Sequence, residues 1–258
     1  MALILTEEEQ ALAESVRKFV ADRSPLTSLR HLIASGEPYD ADVWKQMTAQ
    51  LGLAGLSIPE SYGGVGAGYS ALSVALTELG AGLVASPLLA CMLAAEVLLR
   101  LDDETAKLEL LPRIAGGELI ATLAVASRAG GHVTATTAAD GGSATLTGSV
   151  SPVLNGAEAG VLLVPAEADS GPLVYVVDGD AAGLTRTRLT AVDHSRSLAR
   201  VTLDGTPARP LAGDAAAALA AAQDLATLTR APGSPGPGPR PVRRPRHRRA
   251  AGPAYRPA

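Results

Sequence analysis

Apolar residues recur along this chain with two different periods, and the change comes near residue 115. In the first part they fall three and four apart, the spacing of one helical face. Leu12, Val16, Phe19 and Val20 form one stripe, Val43, Trp44, Met47 and Leu51 a second, and Leu72, Leu76 and Leu79 a third. Start and stop signals frame these stripes. Thr6 with Glu9 reads as a capping box, Asp40 as an N-cap and Gly52 as a helix stop. Ser70 opens the third helix and Gly80 closes it. Ser86-Pro87 reads as the N-cap and first residue of a helix reaching about Arg100. Asp102 or Asp103 caps a short helix that ends at Leu111, before Pro112. Residues 4–112 therefore predict five or six helices.

Beyond that point the runs are short and rich in β-branched residues, with Gly, Pro, Asp and Asn between them. Leu119 to Ala126, Ala144 to Val150, Gly160 to Val164, Pro172 to Val177, Leu184 to Leu189 and Leu198 to Leu203 read as strands. Asp140-Gly141-Gly142 is a hairpin turn candidate. Strands without helices between them predict an antiparallel barrel or sandwich. Helices first and strands after give an α+β chain. Its parts are an N-terminal all-α domain over 1–115, a β domain over 116–211, one isolated helix over 212–229 and a tail over 230–258.

Composition changes that picture at its end. The tail holds eight Pro, eight Arg, five Ala and four Gly among its 29 residues, and it reads as disordered. Those four types share codons with only G or C in the first two places, the appearance of a GC-rich gene read out of frame. The alternative is a genuine basic tail for an acidic partner. Of the 22 Lys and Arg, eight lie in this tail, so the remainder sets 14 bases against 26 acids. An acidic body of that kind is no candidate for nucleic acid. The 47% hydrophobic content suffices for a core, and 3% aromatics make that core aliphatic. A single cysteine, Cys91, excludes an intrachain disulfide framework, and the absence of a secretory signature predicts a reducing cytoplasm. Leu83 to Leu101 is apolar, but Pro87, Glu96 and Arg100 interrupt it, so it reads as a buried helix and not a membrane span.

The stretch Ile58-Pro59-Glu60-Ser61-Tyr62-Gly63-Gly64-Val65-Gly66-Ala67-Gly68 sits between helices and is barred from helix by Pro59 and its glycines. It reads either as a tight interhelical loop or as a phosphate cradle. The cradle reading is weak, because a dinucleotide fingerprint follows a strand and Tyr69 stands where its third glycine belongs. With Leu51-Gly52-Leu53-Ala54-Gly55-Leu56-Ser57 before it and Val74-Ala75-Leu76-Thr77-Glu78-Leu79-Gly80 after it, the loop resembles the N-terminal helical domain of the acyl-CoA dehydrogenase family. The match is strongest in the first half and extends in outline over residues 4–229.

The resemblance implies a helical domain followed by a β domain, and an FAD-dependent oxidoreductase that α,β-dehydrogenates an acyl-CoA thioester in fatty acid or lipid β-oxidation. It also implies a homo- or hetero-oligomer. In the family a Glu of a third, helical domain takes the α-proton; only the first helix of that domain has a counterpart here. No Glu or Asp of this sequence takes that role by motif, so no catalytic residue is assigned and the chain reads as truncated and inactive alone. The alternative is a non-catalytic acyl-CoA-binding or partner subunit. The family's flavin-facing stretches align with Val125 to Gly131 and with Pro152 to Gly156. The cofactor candidates carried over are Val125, Ser127, Gly130, Gly131, Val153 and Leu154. The hydroxyls and the aromatic of the family pattern are replaced there, and each lost hydrogen bond is worth on the order of 1 kcal/mol. His31, His132, His194 and His247 share no metal-ligand spacing with one another or with Cys91. Asp193, His194 and Ser195 are neighbours in sequence, which does not make a triad. Asp193 and Arg196 match a family D-x-x-R and read as a structural ion pair.

Overall fold

The computed structural model describes residues 5–125, 131–137, 143–168, 171–193 and 195–230. Six helices come first: α1 (Glu7–Arg23), α2 (Leu26–Ser35), α3 (Ala41–Leu51), α4 (Gly68–Ala81), α5 (Leu88–Arg100) and α6 (Glu104–Ala115). The local signals hold where they are covalently near. The Thr6 hydroxyl accepts the Glu9 N–H at 3.2 Å and the Glu9 carboxylate accepts the Thr6 N–H at 2.9 Å. Asp40 accepts the N–H groups of Asp42 and Val43, both at 3.0 Å. Gly52 ends α3 at φ 61°, where a left-handed residue is required.

Several boundaries move. α4 begins at Gly68, before Ser70, and ends at Ala81 with Gly82 as its cap. Pro87 is the cap of α5 and not its first residue. Asp103 caps α6, accepting from Ala106 N at 2.9 Å. That helix runs through Pro112 to Ala115. Pro112 lies in its last turn, where losing one N–H leaves most of the ladder intact. Its carbonyl still accepts the Gly116 N–H at 2.9 Å.

Seven strands follow: β1 (Ala121–Leu123), β2 (Val133–Thr137), β3 (Ala144–Leu154), β4 (Val161–Ala168), β5 (Gly171–Asp178), β6 (Leu184–Arg188) and β7 (Leu198–Pro210). The pairings β2–β3, β3–β7, β7–β5, β5–β4 and β4–β2 close on themselves as a barrel. β1 and β6 attach to β4 and β7. The barrel is not wholly antiparallel. β1 runs parallel to β4, and so does β2, through Thr134 opposite Glu167. Between β1 and β4 the chain has room for the crossover that parallel pairing needs. β2 joins β3 antiparallel, with Thr137 opposite Ala144; the turn expected at 140–142 lies outside the described residues.

Two cores form, and they share a wall. In β4, Val161 and Leu163 face the helices while Leu162 and Val164 face the barrel interior. In β5, Val174 and Val176 face the helices while Tyr175 and Val177 face inward. Strands buried on both faces read as continuous apolar runs, as these do.

The last helix, α7 (Ala215–Arg230), corrects the expectation of an isolated helix. Ala215, Ala218, Ala222 and Leu225 are buried in the helical core, chiefly against α5. Asp214 caps α7 through the Ala217 N–H at 3.0 Å, and the Ala212 carbonyl accepts the Asp102 N–H at 2.9 Å. Residues 231–258 lie outside the described part.

Candidate functional site

The loop after α3 settles its own reading. Gly63, Gly66 and Gly68 have φ of 76°, 70° and 80°. A Cβ on Gly64 would stand 1.9 Å from the Ile58 carbonyl oxygen. The loop's N–H groups turn inward: Gly64 to Pro59 O, Val65 to Gly55 O, Gly66 to Ile58 O and Gly68 to Leu56 O, at 2.8–3.1 Å. Those donors are spent on holding the loop, so it is an interhelical connection and no phosphate cradle.

A concavity of about 290 Å³ lies elsewhere, between the helices and the barrel. Leu76, Leu79 and Gly80 of α4 line it, with Leu83, Val84 and Ser86 of the α4–α5 connection and Leu89 of α5. The barrel contributes Leu154 from the end of β3 and Asp193, Ser195 and Arg196 from the loop before β7. Leu79 is buried at its apolar side, while Asp193 and Arg196 are exposed at its rim. An apolar floor with a few polar groups at the mouth is the ordinary form of a small-molecule site. This one lies at the small end of the ~300–1,000 Å³ range of such sites.

At the rim the Asp193 carboxylate accepts from Ser195 N at 2.9 Å and Ser195 Oγ at 2.6 Å, and lies 3.8 Å from Arg196 Nε. The expected pair is present, and it also borders the groove. A neighbouring cavity of about 80 Å³ shares Asp193 and Arg196 and adds Arg188 and Glu37. Arg188 donates to Gly36 O at 2.7 Å and to Glu158 at 2.9 Å, tying the α2–α3 loop to the barrel. Glu158 also accepts from Ser197 Oγ at 2.9 Å. Asn155, at φ 48°, makes the turn after β3, a backbone region Asn tolerates.

The cofactor candidates scatter. Leu154 lines the groove, and its carbonyl accepts the Thr122 hydroxyl at 2.5 Å. Val153 is buried in the barrel core. Val125 is half-buried just past β1. Gly131 has φ 118°, and a Cβ there would stand 1.8 Å from the Ser149 carbonyl oxygen, so its glycine is a packing requirement. Ser127 and Gly130 lie outside the described residues. None of the described candidates, Val125, Gly131, Val153 and Leu154, carries a side-chain hydrogen-bond donor. Cys91 is fully buried, which pushes its thiol up to about 12 and removes it as a nucleophile. Among the described residues no three His, Cys, Asp or Glu converge as metal ligands, and no helix is long and apolar enough to cross a membrane.

Residues 6–118 match the family described as "Acyl-CoA dehydrogenase, N-terminal domain". The acyl-CoA dehydrogenase IpdE2 of Mycobacterium tuberculosis is 37% identical over 117 residues, covering 45% of this chain and 36% of that protein. The acyl-CoA dehydrogenase FadE12 of the same organism is 30% identical over 239 residues, covering 85% of this chain and 60% of that protein. The crystal structure of the ChsE4-ChsE5 complex from Mycobacterium tuberculosis superposes with a TM-score of 0.81 at 28% identity, over 90% of this chain and 64% of that one.

Residues 6–118 are an acyl-CoA dehydrogenase N-terminal domain. The chain spans about three fifths or less of the length of these curated relatives. The helical order and the β-rich half that follows are those of the acyl-CoA dehydrogenase fold. What the sequence reading missed is the groove. Leu76 and Leu79 read as inward core positions; Leu79 is buried, half-buried Leu76 packs against the same core, and both also line the groove. The signal available was Leu83-Val84-Ala85-Ser86, an apolar run outside any helical period.

Proposed function

We propose that this chain provides the helical and β domains of an acyl-CoA dehydrogenase-type flavoprotein, and that its groove receives the acyl group of an acyl-CoA thioester. The single observation that carries this is the groove itself: leucines and a valine on the helical side, with serines, Asp193 and Arg196 at the exposed mouth. An acyl chain gains from burial on such a floor at ~0.8 kcal/mol per methylene. A thioester and its polar carrier remain at the mouth. The family reaction is FAD-dependent α,β-dehydrogenation, in which the flavin supplies the redox chemistry. The family also supports a role in lipid β-oxidation and assembly into oligomers.

The chain by itself is inactive on this reading. α-Proton removal needs a carboxylate or other base within reach of the substrate. The one carboxylate among the described groove residues, Asp193, is held by Ser195 and sits at the rim. A second reading, a non-catalytic acyl-CoA-binding or partner subunit, is favoured by the apolar character of Val125, Val153 and Leu154 at the flavin positions.

Calorimetric titration of the purified chain with octanoyl-CoA tests the binding reading, with saturable one-to-one binding expected and free coenzyme A binding more weakly. Equal binding of the two would sink the assignment of the groove to the acyl group. A visible spectrum of the same sample separates the two roles. A colourless protein that binds octanoyl-CoA supports the subunit, and stoichiometric bound flavin with dye reduction supports the enzyme.

A further inference from the structure

The end of α5 away from the groove carries a second cluster of chemistry. Glu96 and Arg100 stand roughly 10–16 Å beyond Leu89 along the helix. Ala94, Ala95, Val97 and Leu98 around them are buried. Glu96 is only 3% exposed, the one charged residue buried outright among the described residues. Its carboxylate accepts from Arg100 Nε at 2.8 Å and from the Tyr69 hydroxyl of α4. The Arg100 guanidinium lies against the Tyr69 hydroxyl as well. Burial and the bond to Glu96 push the Tyr69 phenol up to about 12, so it remains a donor. Packing alone does not ask for this arrangement. Replacing a buried ion pair by apolar side chains of like volume is often neutral or stabilising. What the pair achieves is orientation: Arg100 is exposed, and Glu96 holds its Nε edge. A cavity of about 200 Å³ opens beside it, lined by Tyr69, Glu96 and Arg100 and, from α7, by Ala221, Asp224 and Leu225. That is room for about seven water-sized groups. Arg100 borders it from α5 and Asp224 from α7, and among the described residues no ion pair joins the two. Ala221 and Leu225, one turn apart on α7, make an apolar wall.

We infer that this cavity binds a free α-amino acid with a small apolar side chain, its carboxylate on Arg100, its ammonium on Asp224 and its side chain against Ala221 and Leu225. A guanidinium with one edge already held presents its remaining N–H groups to a carboxylate in a fixed plane. Asp224 then decides the class of ligand. It repels a plain carboxylic acid and attracts one that brings its own cation. An amine without a carboxylate is refused in the same way, by Arg100. Selection by repulsion as well as attraction is how such a site separates close analogues. The cavity is separate from the groove, and it stands whether or not the groove takes an acyl group.

The test is calorimetric titration of the full chain with valine and with three analogues. 3-Methylbutanoate lacks the ammonium, 2-methylpropan-1-amine lacks the carboxylate and glycine lacks the side chain. Valine is expected to bind saturably, and each analogue about tenfold or more weakly, the loss of one charged contact or of the buried side chain. Arg100→Gln and Asp224→Asn change exposed residues and should leave the fold intact, checked by circular dichroism and Tm. Both variants are expected to lose valine. Asp224→Asn should in addition accept 3-methylbutanoate better than the parent does, because the repelling carboxylate is gone. That reversal is one that mere loosening of the fold does not produce. Failure of the folded parent to bind valine overturns the inference. So does equal binding of valine and its analogues, or valine binding unchanged in both variants.

Discussion

Gly64 and Gly68 sit four residues apart in the same loop, and they are glycine for different reasons. Gly68 has φ 80° and open space where a Cβ would go. Gly64 has no left-handed φ but is pressed against the Ile58 carbonyl. Gly68→Ala should cost about 1–2 kcal/mol, the left-handed penalty alone. Gly64→Ala forces the backbone of residues 55–58 to move and should cost roughly 3 kcal/mol, at the upper end of overpacking. Urea unfolding of the two variants gives the comparison; equal losses would show that the close approach is not what holds the loop. The sequence showed that the loop needed glycines. It did not show which were needed for backbone angle and which for contact, because the Ile58 carbonyl lies across a turn and not along the chain.

Helix starts were legible wherever the cap is local. Thr6, Asp40 and Asp103 each satisfy an N–H two or three residues away, a relation written into the sequence itself. α2 was faint, because none of its residues is buried and an amphipathic stripe needs a core to face. α7 was read as unpartnered for a related reason. Its inner face is mostly alanine, which carries little hydrophobic contrast, and its partner α5 is over a hundred residues earlier. β2 was missed because it is short and mostly exposed. The groove was the least legible feature, since its walls come from residues 76–89, 154 and 193–196. The docking of α7 gives a test at this scale. Leu225→Ala empties a 5%-exposed position and should destabilise the chain by roughly 2–5 kcal/mol. A frayed, undocked helix would instead show almost no change in the denaturation midpoint.

On the scale of the whole molecule, the helical and β parts are separate in sequence and joined in packing. Val161, Leu163, Val174 and Val176 bury their side chains among the helices, while their immediate neighbours fill the barrel. Sequence order alone gave two domains in a row; the joint was invisible in it, because an apolar strand buried on both faces looks like any short apolar run. Calorimetric unfolding should therefore show one transition with matching van't Hoff and calorimetric enthalpies. Two resolved transitions would mean that the shared wall does not couple the halves.

That wall also bears on how such a sequence drifts. Along β4, Leu162 and Leu163 are covalent neighbours, yet one is buried in the barrel core and the other in the helical core. A volume change at one is compensated by a change in its own core and goes unnoticed by the other. Odd and even positions of this hairpin are thus two independent lineages of constraint threaded on one backbone. Covariation measured across relatives should link each residue to partners far along the chain and leave it unlinked to the residue beside it.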